Sequence, residues 1–334
     1  MTTLHQDFES RSVLDIYEVG LDRYATDPTT EILMGAYAFD DGPVKLWLPH
    51  ESDMPAELLE AVEDPHVIKT AWNSAFERAM YYWKLGIEVP ITQWRDSMIR
   101  ARYMALPGNL LDCSKALGLP VDEAKDADGT RLKNLFCMPA KAGGQETLFG
   151  ISEPIFRDWT TDPVDWQLFC EYCRQDVVAE RAIEKKTFDL PEREWQAWFL
   201  DQEINDRGIL TDTGLVAGGS WIAETVKGEL LERLGSITGL ENPNSRDQML
   251  GWARERGYPF HTLGKAFVNR ALAGEGSLTP ECKEALAIRQ QAAKTSATKL
   301  VSIANQVSSD GRLRHQFSYF GASRTGRWSS GSGE

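Results

Sequence analysis

The sequence lacks a hydrophobic run long enough to cross a membrane, and it is poor in cysteine. No stretch approaches the roughly 20 continuous apolar residues of a transmembrane helix. The amino terminus has no basic region followed by an apolar segment, as a secretory signal would. The five cysteines are scattered and odd in number, which argues against a disulfide framework. We therefore expect a soluble globular protein with a cytoplasmic location.

The chain also lacks an excess of positive charge. Acidic residues outnumber basic ones by 50 to 36, and the formal net charge is −14. This balance alone opposes nucleic-acid binding, because DNA-binding domains usually carry a basic surface. Between residues 289 and 327, however, seven basic residues accompany a single acid, Asp310. We predict one localised phosphate-binding surface there, formed by Arg289, Lys294, Lys299, Arg312, Arg314, Arg324 and Arg327.

The first half of the chain has the pattern of a sheet with helices. An apolar run at residues 32–39, a turn at Asp40-Asp41-Gly42 and an alternating segment at 44–48 predict an antiparallel hairpin. Residues 1–8 and 66–72 are further strand candidates, and Asn73 is the expected N-cap of the helix that follows. Residues 120–162 are polar and rich in glycine and proline, which predicts a surface excursion with little regular structure. The fold class is therefore α/β or α+β.

Helical patterns dominate the later part of the chain. Pro163 begins an amphipathic helix that carries Cys170 and Cys173. We interpret this C-x-x-C pair as buried helix residues, because no second ligand pair completes a zinc site. Pro191 marks a candidate domain boundary. Helices are predicted at 195–206, 215–234, 247–256 and 280–307, a strand at 311–319, and a flexible Ser-Gly tail at 329–334.

Four carboxylates and one tyrosine occupy positions that favour metal chemistry. Asp7 and Glu9 are two residues apart, which places both on one face of a strand. Glu77 falls in the first turn of a predicted helix, whereas Tyr172 and Asp176 are neighbours on a helix face. Each feature is weak alone, since such residues are usually surface pairs or favour the helix dipole. Together, clustered carboxylates suit hard divalent cations, and two such ions about 3.5–4 Å apart can hydrolyse a phosphodiester.

These motifs resemble those of the DEDD exonuclease superfamily, tyrosine type, the proofreading domain of family A DNA polymerases on a ribonuclease H-like fold. The resemblance covers about residues 1–185, with Asp96-Ser97-Met98 following the second motif. It implies that Asp7, Glu9, Glu77 and Asp176 hold two Mg²⁺ or Mn²⁺ ions and that Tyr172 orients the attacking water. Asn73 and Phe76 would position the substrate. The sequence departs from the family where Glu77 replaces the usual aspartate and Ser10 the usual threonine.

The second half is similar to the beginning of a family A polymerase of the bacteriophage-like type. Residues 205–209 resemble the entry to the thumb, and residues 289–299 resemble the long thumb helix. In the Thr325-Gly326-Arg327 element, Arg327 would contact the primer minor groove. The domains implied are a ribonuclease H-like exonuclease domain with a mixed sheet at 1–188, a mainly helical thumb and partial palm region at 189–328, and the tail at 329–334.

The sequence contains none of the family's palm and fingers motifs, and we expect no 5′-nuclease domain before the exonuclease motifs. We therefore expect no DNA polymerase activity from this chain alone. A natural split subunit, a truncated gene product and an engineered fragment remain open alternatives. In the first case, a second chain would bring the palm and fingers.

The function that follows from the resemblance is a two-metal 3′→5′ DNA exonuclease that releases nucleoside 5′-monophosphates. Its partner would be DNA, both the single-stranded 3′ end and the primer-template duplex. Three alternatives stay open. The chain could be a non-catalytic DNA-binding subunit that completes a split polymerase, a free-standing RNA exonuclease, or an exonuclease fold without activity.

Overall fold

The computed structural model describes residues 2–120, 129–140, 146–147, 150–151, 154–293, 298–322 and 324–330. Lys294 of the predicted basic surface and residues 331–334 of the predicted tail lie outside these ranges. The chain forms two compact units, residues 1–211 together with 305–334, and residues 212–304. This division differs from the predicted domain boundary at 188/189, which remains a prediction.

The first unit is built on a five-stranded mixed sheet with the strand order β3-β2-β1-β4-β5. The central strand β1 is antiparallel to β2 and parallel to β4, and β5 is parallel to β4. The predicted hairpin is confirmed, because β2 and β3 pair in antiparallel fashion across the Asp-Gly turn. The strands are β1 (Thr3–Arg11), β2 (Glu31–Phe39), β3 (Lys45–Trp47), β4 (Ile68–Ala71) and β5 (Trp94–Asp96).

Alternation along β1 separates an apolar face from an acidic face. Phe8 packs against Trp47 and Tyr81, with ring centroids 6.3 and 5.1 Å away. The strand partner of Phe8 is Gly35, where a Cβ atom would lie 2.6 Å from the Phe8 ring. Side chains point alternately to the two faces of a strand, so burying Phe8 sends its neighbours Asp7 and Glu9 to the opposite face.

Helices cover both faces of this sheet, and the longest of them, α7, packs on β1 and β2. It begins at Pro163, as predicted. No described helix is long and apolar enough to span a bilayer. The helices of this unit are α1 (Ile16–Thr26), α2 (Ala56–Glu63), α3 (Ala75–Leu85), α4 (Ser97–Tyr103), α5 (Leu110–Ala116), α6 (Gly129–Phe136), α7 (Pro163–Lys186) and α8 (Glu192–Arg207), with a 3₁₀ turn at Ile91–Gln93.

Helix α6 lies in the region from 120 to 162, where little regular structure was predicted, and there the prediction is wrong. The helix is only two turns long, too short to be stable by propensity alone. Leu132 and Phe136 are buried in a cluster with Trp166 and Phe169 of α7. Tertiary packing therefore stabilises α6, and local sequence gives little sign of it. A short strand pair, β6 (Glu146–Thr147) and β7 (Gly150–Ile151), follows it in the chain.

The second unit is helical, as predicted, with Leu234, Met249, Trp252 and Leu286 among its buried residues. The single helix predicted from 280 to 307 ends earlier, because α12 ends at Ala292 with Ala293 as its C-cap. A further helix, α13, begins at Thr298, and residues 294–297 lie outside the described ranges. The helices are α9 (Thr213–Thr238), α10 (Arg246–Arg254), α11 (Lys265–Leu272), α12 (Pro280–Ala292) and α13 (Thr298–Gln306), the last extending into the first unit.

The carboxyl-terminal strands belong to the first unit, whose core includes Tyr319 together with Trp195 and Trp198 of α8. The strand predicted at 311–319 is interrupted by His315, which has a left-handed φ of 55°. The predicted tail begins inside a strand, since Ser329 and Ser330 pair with β10. The strands here are β8 (Ile209–Leu210), β9 (Arg312–Leu313), β10 (Phe317–Ala322) and β11 (Arg327–Ser330).

Asp201 of α8 fastens β11 to this unit and gives a pH-dependent contribution to stability. It accepts hydrogen bonds from Trp328 Nε1 at 2.6 Å and from Asn205 Nδ2 at 3.1 Å. Burial raises the pKa of Asp201 from 3.8 to about 6, although these hydrogen bonds oppose the rise. The folded state thus holds this proton more tightly than the unfolded state does. The resulting stabilisation is complete below about pH 4 and is lost as the pH rises through 6.

We expect Asp201→Asn to remove this pH dependence. Between pH 4 and pH 7, the unfolding free energy of the wild type should fall by about 1–2 kcal/mol relative to that of the variant. Urea unfolding of both proteins, followed by tryptophan fluorescence at several pH values, measures the difference. A difference that stays constant across this range would contradict the raised pKa.

Candidate active site

Three of the predicted metal ligands come together where β1 meets α7. Ligand oxygens of Asp7, Glu9 and Asp176 all lie within 4.8 Å of one another. Glu9 and Asp176 are almost completely buried, and Asp7 is partly exposed. The register of β1 against β2 shifts between Glu9 and Ser10, a bulge of the kind that often redirects side chains beside active sites. The cluster lines a cleft of about 700 Å³.

Glu77 lies in the first turn of α3, as predicted, and lines the same cleft. Its side chain is buried, and one oxygen, Oε2, has no hydrogen-bond partner among the described residues. Burial, with the negative charge of Asp7, raises the pKa of Glu77 well above its usual value, although a backbone hydrogen bond from Phe8 opposes the rise. An unpaired carboxylate oxygen beside another carboxylate is unfavourable unless a proton or a cation neutralises the charge.

The turn before α3 is positioned by Asp96. This buried side chain caps α4 through the Met98 N–H at 2.9 Å and accepts a hydrogen bond from the Ser74 N–H at the same distance. The expected N-cap, Asn73, is a misassignment, because Ser74 holds that position. Asn73 instead has a left-handed φ of 65°, which asparagine tolerates well. Both Asn73 and Phe76 line the cleft, as a substrate-positioning role requires.

Tyr172 is buried on α7, one turn before Asp176. Its ring stacks on Phe169 with centroids 6.1 Å apart. Burial, together with the charge of Asp176, raises the pKa of Tyr172, so the phenol stays neutral and can orient a water molecule without acting as an anion. The next residue, Cys173, is buried, and its Sγ lies 3.6 Å from the Asp7 carbonyl oxygen. All five cysteines are free, and the interpretation of Cys170 and Cys173 as buried helix residues is confirmed.

A buried polar network next to the cluster fixes β1 against α7. His5 Nδ1 lies 2.8 Å from Glu180 Oε2, and Ser97 Oγ also donates to Glu180. His5 is two residues from Asp7 on β1, and Glu180 is four residues from Asp176 on α7. The network therefore joins the two elements at the positions that bring Asp7 and Asp176 together. Glu184, which also approaches His5, pairs with Arg100.

The cleft is also lined by two cationic side chains that were not predicted from the sequence, Lys133 of α6 and Arg102 of α4. Lys133 Nζ lies 3.1 Å from Glu9 Oε1 and 5.3 Å from the centre of the Tyr172 ring. Burial lowers the pKa of Lys133, but the charges of Glu9, Asp7 and Asp176 outweigh this and raise it well above its usual value. Arg102 Nη1 donates to Ser318 Oγ at 2.5 Å. No motif marks either residue.

The basic residues predicted to bind phosphates are divided between the two units. Arg289 and Lys299 belong to the second unit, where Lys299 is exposed and Arg289 is half-buried. In the first unit, Arg324 and Arg327 are exposed. Two other basic residues of this unit make internal contacts. Arg312 donates a hydrogen bond to the Gly208 carbonyl at 3.0 Å, and Arg314 forms an ion pair with Asp310. The phosphate-binding role of Arg312 and Arg314 remains a prediction.

Comparison with known proteins identifies a relative of this chain. No protein-family model matches the sequence. A DNA polymerase from Bacillus phage SP02 is 37% identical over 334 residues, covering 98% of this chain and 50% of that protein. The chain is a relative of a bacteriophage DNA polymerase. The resemblance to a DNA polymerase is thereby confirmed, and the chain spans about half the length of this relative.

A solved structure gives a second similarity. It is described as the POL domain of Pol1 from M. smegmatis in complex with DNA primer-template and dNTP, and its sequence is 15% identical. The match covers 99% of this chain and 51% of that chain, with a TM-score of 0.49. The predicted combination of a mixed sheet and many helices is confirmed in the fold itself.

Proposed function

We propose that this chain carries a metal-dependent 3′→5′ DNA exonuclease of the proofreading type. It would remove nucleotides from a DNA 3′ end as nucleoside 5′-monophosphates. The observation that supports this most directly is the grouping of Asp7, Glu9 and Asp176 within 4.8 Å in an open cleft. The relationship to a phage DNA polymerase makes DNA the expected substrate.

The side chains of the cluster suit Mg²⁺ or Mn²⁺. Every donor is a carboxylate oxygen, which hard divalent cations prefer. The unpaired Oε2 of buried Glu77 is a further oxygen available as a ligand. Asp7, Glu9, Glu77 and Asp176 would hold the ions. The glutamate at position 77, one methylene longer than the usual aspartate, keeps the same donor chemistry.

The remaining groups of the site would position the substrate and the attacking water. Two bound cations would activate a water molecule and stabilise the charge on the leaving oxygen. The neutral Tyr172 hydroxyl would orient that water. Phe76 offers an aromatic face in the cleft on which a terminal base can stack, and Asn73 offers amide hydrogen bonds. Exposed Arg324 and Arg327 are available for backbone phosphates.

Degradation of 5′-labelled single-stranded DNA with Mg²⁺ or Mn²⁺ tests this function. We expect a ladder of products shortened from the 3′ end, abolished by EDTA and by Asp7→Ala/Glu9→Ala. An RNA of the same sequence distinguishes DNA from RNA specificity. Absence of shortening with either metal would contradict the proposal.

A second candidate is a non-catalytic subunit that completes a polymerase with a second chain. It is favoured by large apolar side chains exposed on α9, with Leu215 at 72% and Trp221 at 69% exposure. Apolar surface of this kind often marks an interface when it forms a patch. An inactive nuclease that purifies only with a palm-containing chain would support this alternative.

A further inference from the structure

Lys133 extends from α6 into the carboxylate cluster, although the exonuclease motifs include no lysine there. Its ammonium contacts Glu9 at 3.1 Å and lies over the ring of Tyr172, 5.3 Å from the ring centre. Lys133 thus covers one proposed metal ligand and the proposed water-orienting residue together. The side chain of Lys133 is 44% exposed, against 5% for that of Glu9. Lys133 is therefore partly accessible to solvent, whereas the Glu9 side chain that it contacts is buried.

Electrostatics explain why the ammonium sits there. Three carboxylates within 4.8 Å repel one another unless positive charge offsets them. The other cationic side chain among the described residues of the cleft, Arg102, is hydrogen-bonded to Ser318 and interacts with Asp96. Lys133 Nζ instead lies 3.1 Å from Glu9 Oε1, where the charges of Glu9, Asp7 and Asp176 attract it. Lys133 thus supplies the carboxylate cluster with a positive charge from the protein itself, without a bound metal ion.

We propose that Lys133 is an internal counter-ion that competes with divalent metal for the Asp7–Glu9–Asp176 carboxylates. The inference rests on the proposed metal-dependent function. An ammonium group at hydrogen-bond distance from Glu9 occupies space that a metal ion on the same oxygen needs, and the two like charges repel. Lys133 would therefore have to leave Glu9 for Asp7, Glu9 and Asp176 to hold a metal ion. Because its side chain is partly exposed, Lys133 can turn toward solvent without unfolding α6.

The direct test is Mn²⁺ binding without DNA, measured by the electron paramagnetic resonance signal of free Mn²⁺. Lys133→Met should bind Mn²⁺ about tenfold more tightly than the wild type, which corresponds to about 1.4 kcal/mol. Lys133→Gln should give the same result, and Lys133→Arg, which keeps the charge, should restore an affinity close to that of the wild type. In EDTA, Lys133→Met should melt at a lower temperature than the wild type and gain more from added Mn²⁺.

Arg131→Met is the matched control. Arg131 lies on the same helix and carries the same charge, but it pairs with Asp165 at 2.9 Å. Its replacement should leave Mn²⁺ affinity within about twofold of the wild-type value, about 0.4 kcal/mol.

The outcomes separate this inference from the proposed function. If the wild type binds Mn²⁺ and the uncharged Lys133 variants bind it equally or more weakly, the counter-ion role is overturned while the metal site stands. If neither the wild type nor any variant binds Mn²⁺, the metal site and the inference are both overturned. Tighter binding by Arg131→Met to the same degree would also overturn it, because the effect would then come from net charge.

Discussion

Asp7→Asn is expected to slow 3′-end removal by about a thousandfold, the largest effect of any single replacement considered. Carboxylate oxygens of Asp7, Glu9 and Asp176 lie within 4.8 Å of one another, and the negative charge of Asp7 also raises the pKa of Glu77. Asp7 therefore acts on all three of the other proposed metal ligands. Metal ions supply several kcal/mol of transition-state stabilisation, and each loss of about 1.4 kcal/mol slows the reaction tenfold.

The fold should survive this replacement, which separates catalysis from stability. Asparagine has the shape of aspartate, and removing one of several negative charges reduces the electrostatic repulsion within the cluster in the metal-free protein. In EDTA, Asp7→Asn should melt at the same temperature as the wild type or higher. A lower melting temperature would show that Asp7 is needed for folding, and the activity loss could then no longer be assigned to metal binding.

Asp15→Asn provides a control for the loss of one carboxylate from the same cleft. Asp15 lines the cleft but lies outside the cluster and caps α1 through the Tyr17 N–H at 2.8 Å. Asparagine caps helices about as well as aspartate does. Single-turnover rates for both variants, measured at saturating Mg²⁺, should therefore differ by about three orders of magnitude. Equal rates would exclude Asp7 as a metal ligand.

The parts of the site that could be predicted from the sequence are those fixed by local geometry. A strand places Asp7 and Glu9 on one face, and a helix does the same for Tyr172 and Asp176. Because Phe8 is apolar and faces the core, its neighbours Asp7 and Glu9 lie on the opposite face of β1. The packing of α7 against β1 is a tertiary contact, which cannot be predicted from residue spacing alone. The resemblance to exonuclease motifs supplied that step.

Lys133 could not be predicted, because its partners are distant in sequence. The lysine belongs to a short helix within a polar region, and α6 exists because Leu132 and Phe136 pack on α7. The basic residues show a second limit of sequence analysis. A count of charges predicts Arg312 and Arg314 as phosphate ligands, and the structure adds that Arg312 also donates to a backbone carbonyl and that Arg314 also pairs with Asp310. Charge patterns in a sequence do not reveal which cations already have internal partners.

Gly129→Ala is expected to slow the proposed reaction about a hundredfold without weakening metal binding, an effect on the scale of losing one positioned catalytic group. Gly129 begins α6, and a Cβ atom there would lie 2.0 Å from Tyr172 Cε2 and 2.7 Å from its hydroxyl oxygen. The ring is buried against Phe169, so it cannot yield without moving the hydroxyl. Tyr172→Phe, which removes only the hydroxyl, should reduce the rate by a similar factor.

The double variant Gly129→Ala/Tyr172→Phe decides whether the two changes act through one group. If the alanine acts by displacing the Tyr172 hydroxyl, the double variant should be no slower than Tyr172→Phe alone, because interacting changes are not additive. Gly228→Ala is the matched control, since a Cβ at this helical position meets nothing within 4 Å. Its rate should equal that of the wild type. Multiplicative losses in the double variant would mean that Gly129→Ala disturbs a different part of the site, and full activity of Gly129→Ala would mean that α6 moves while Tyr172 stays in place.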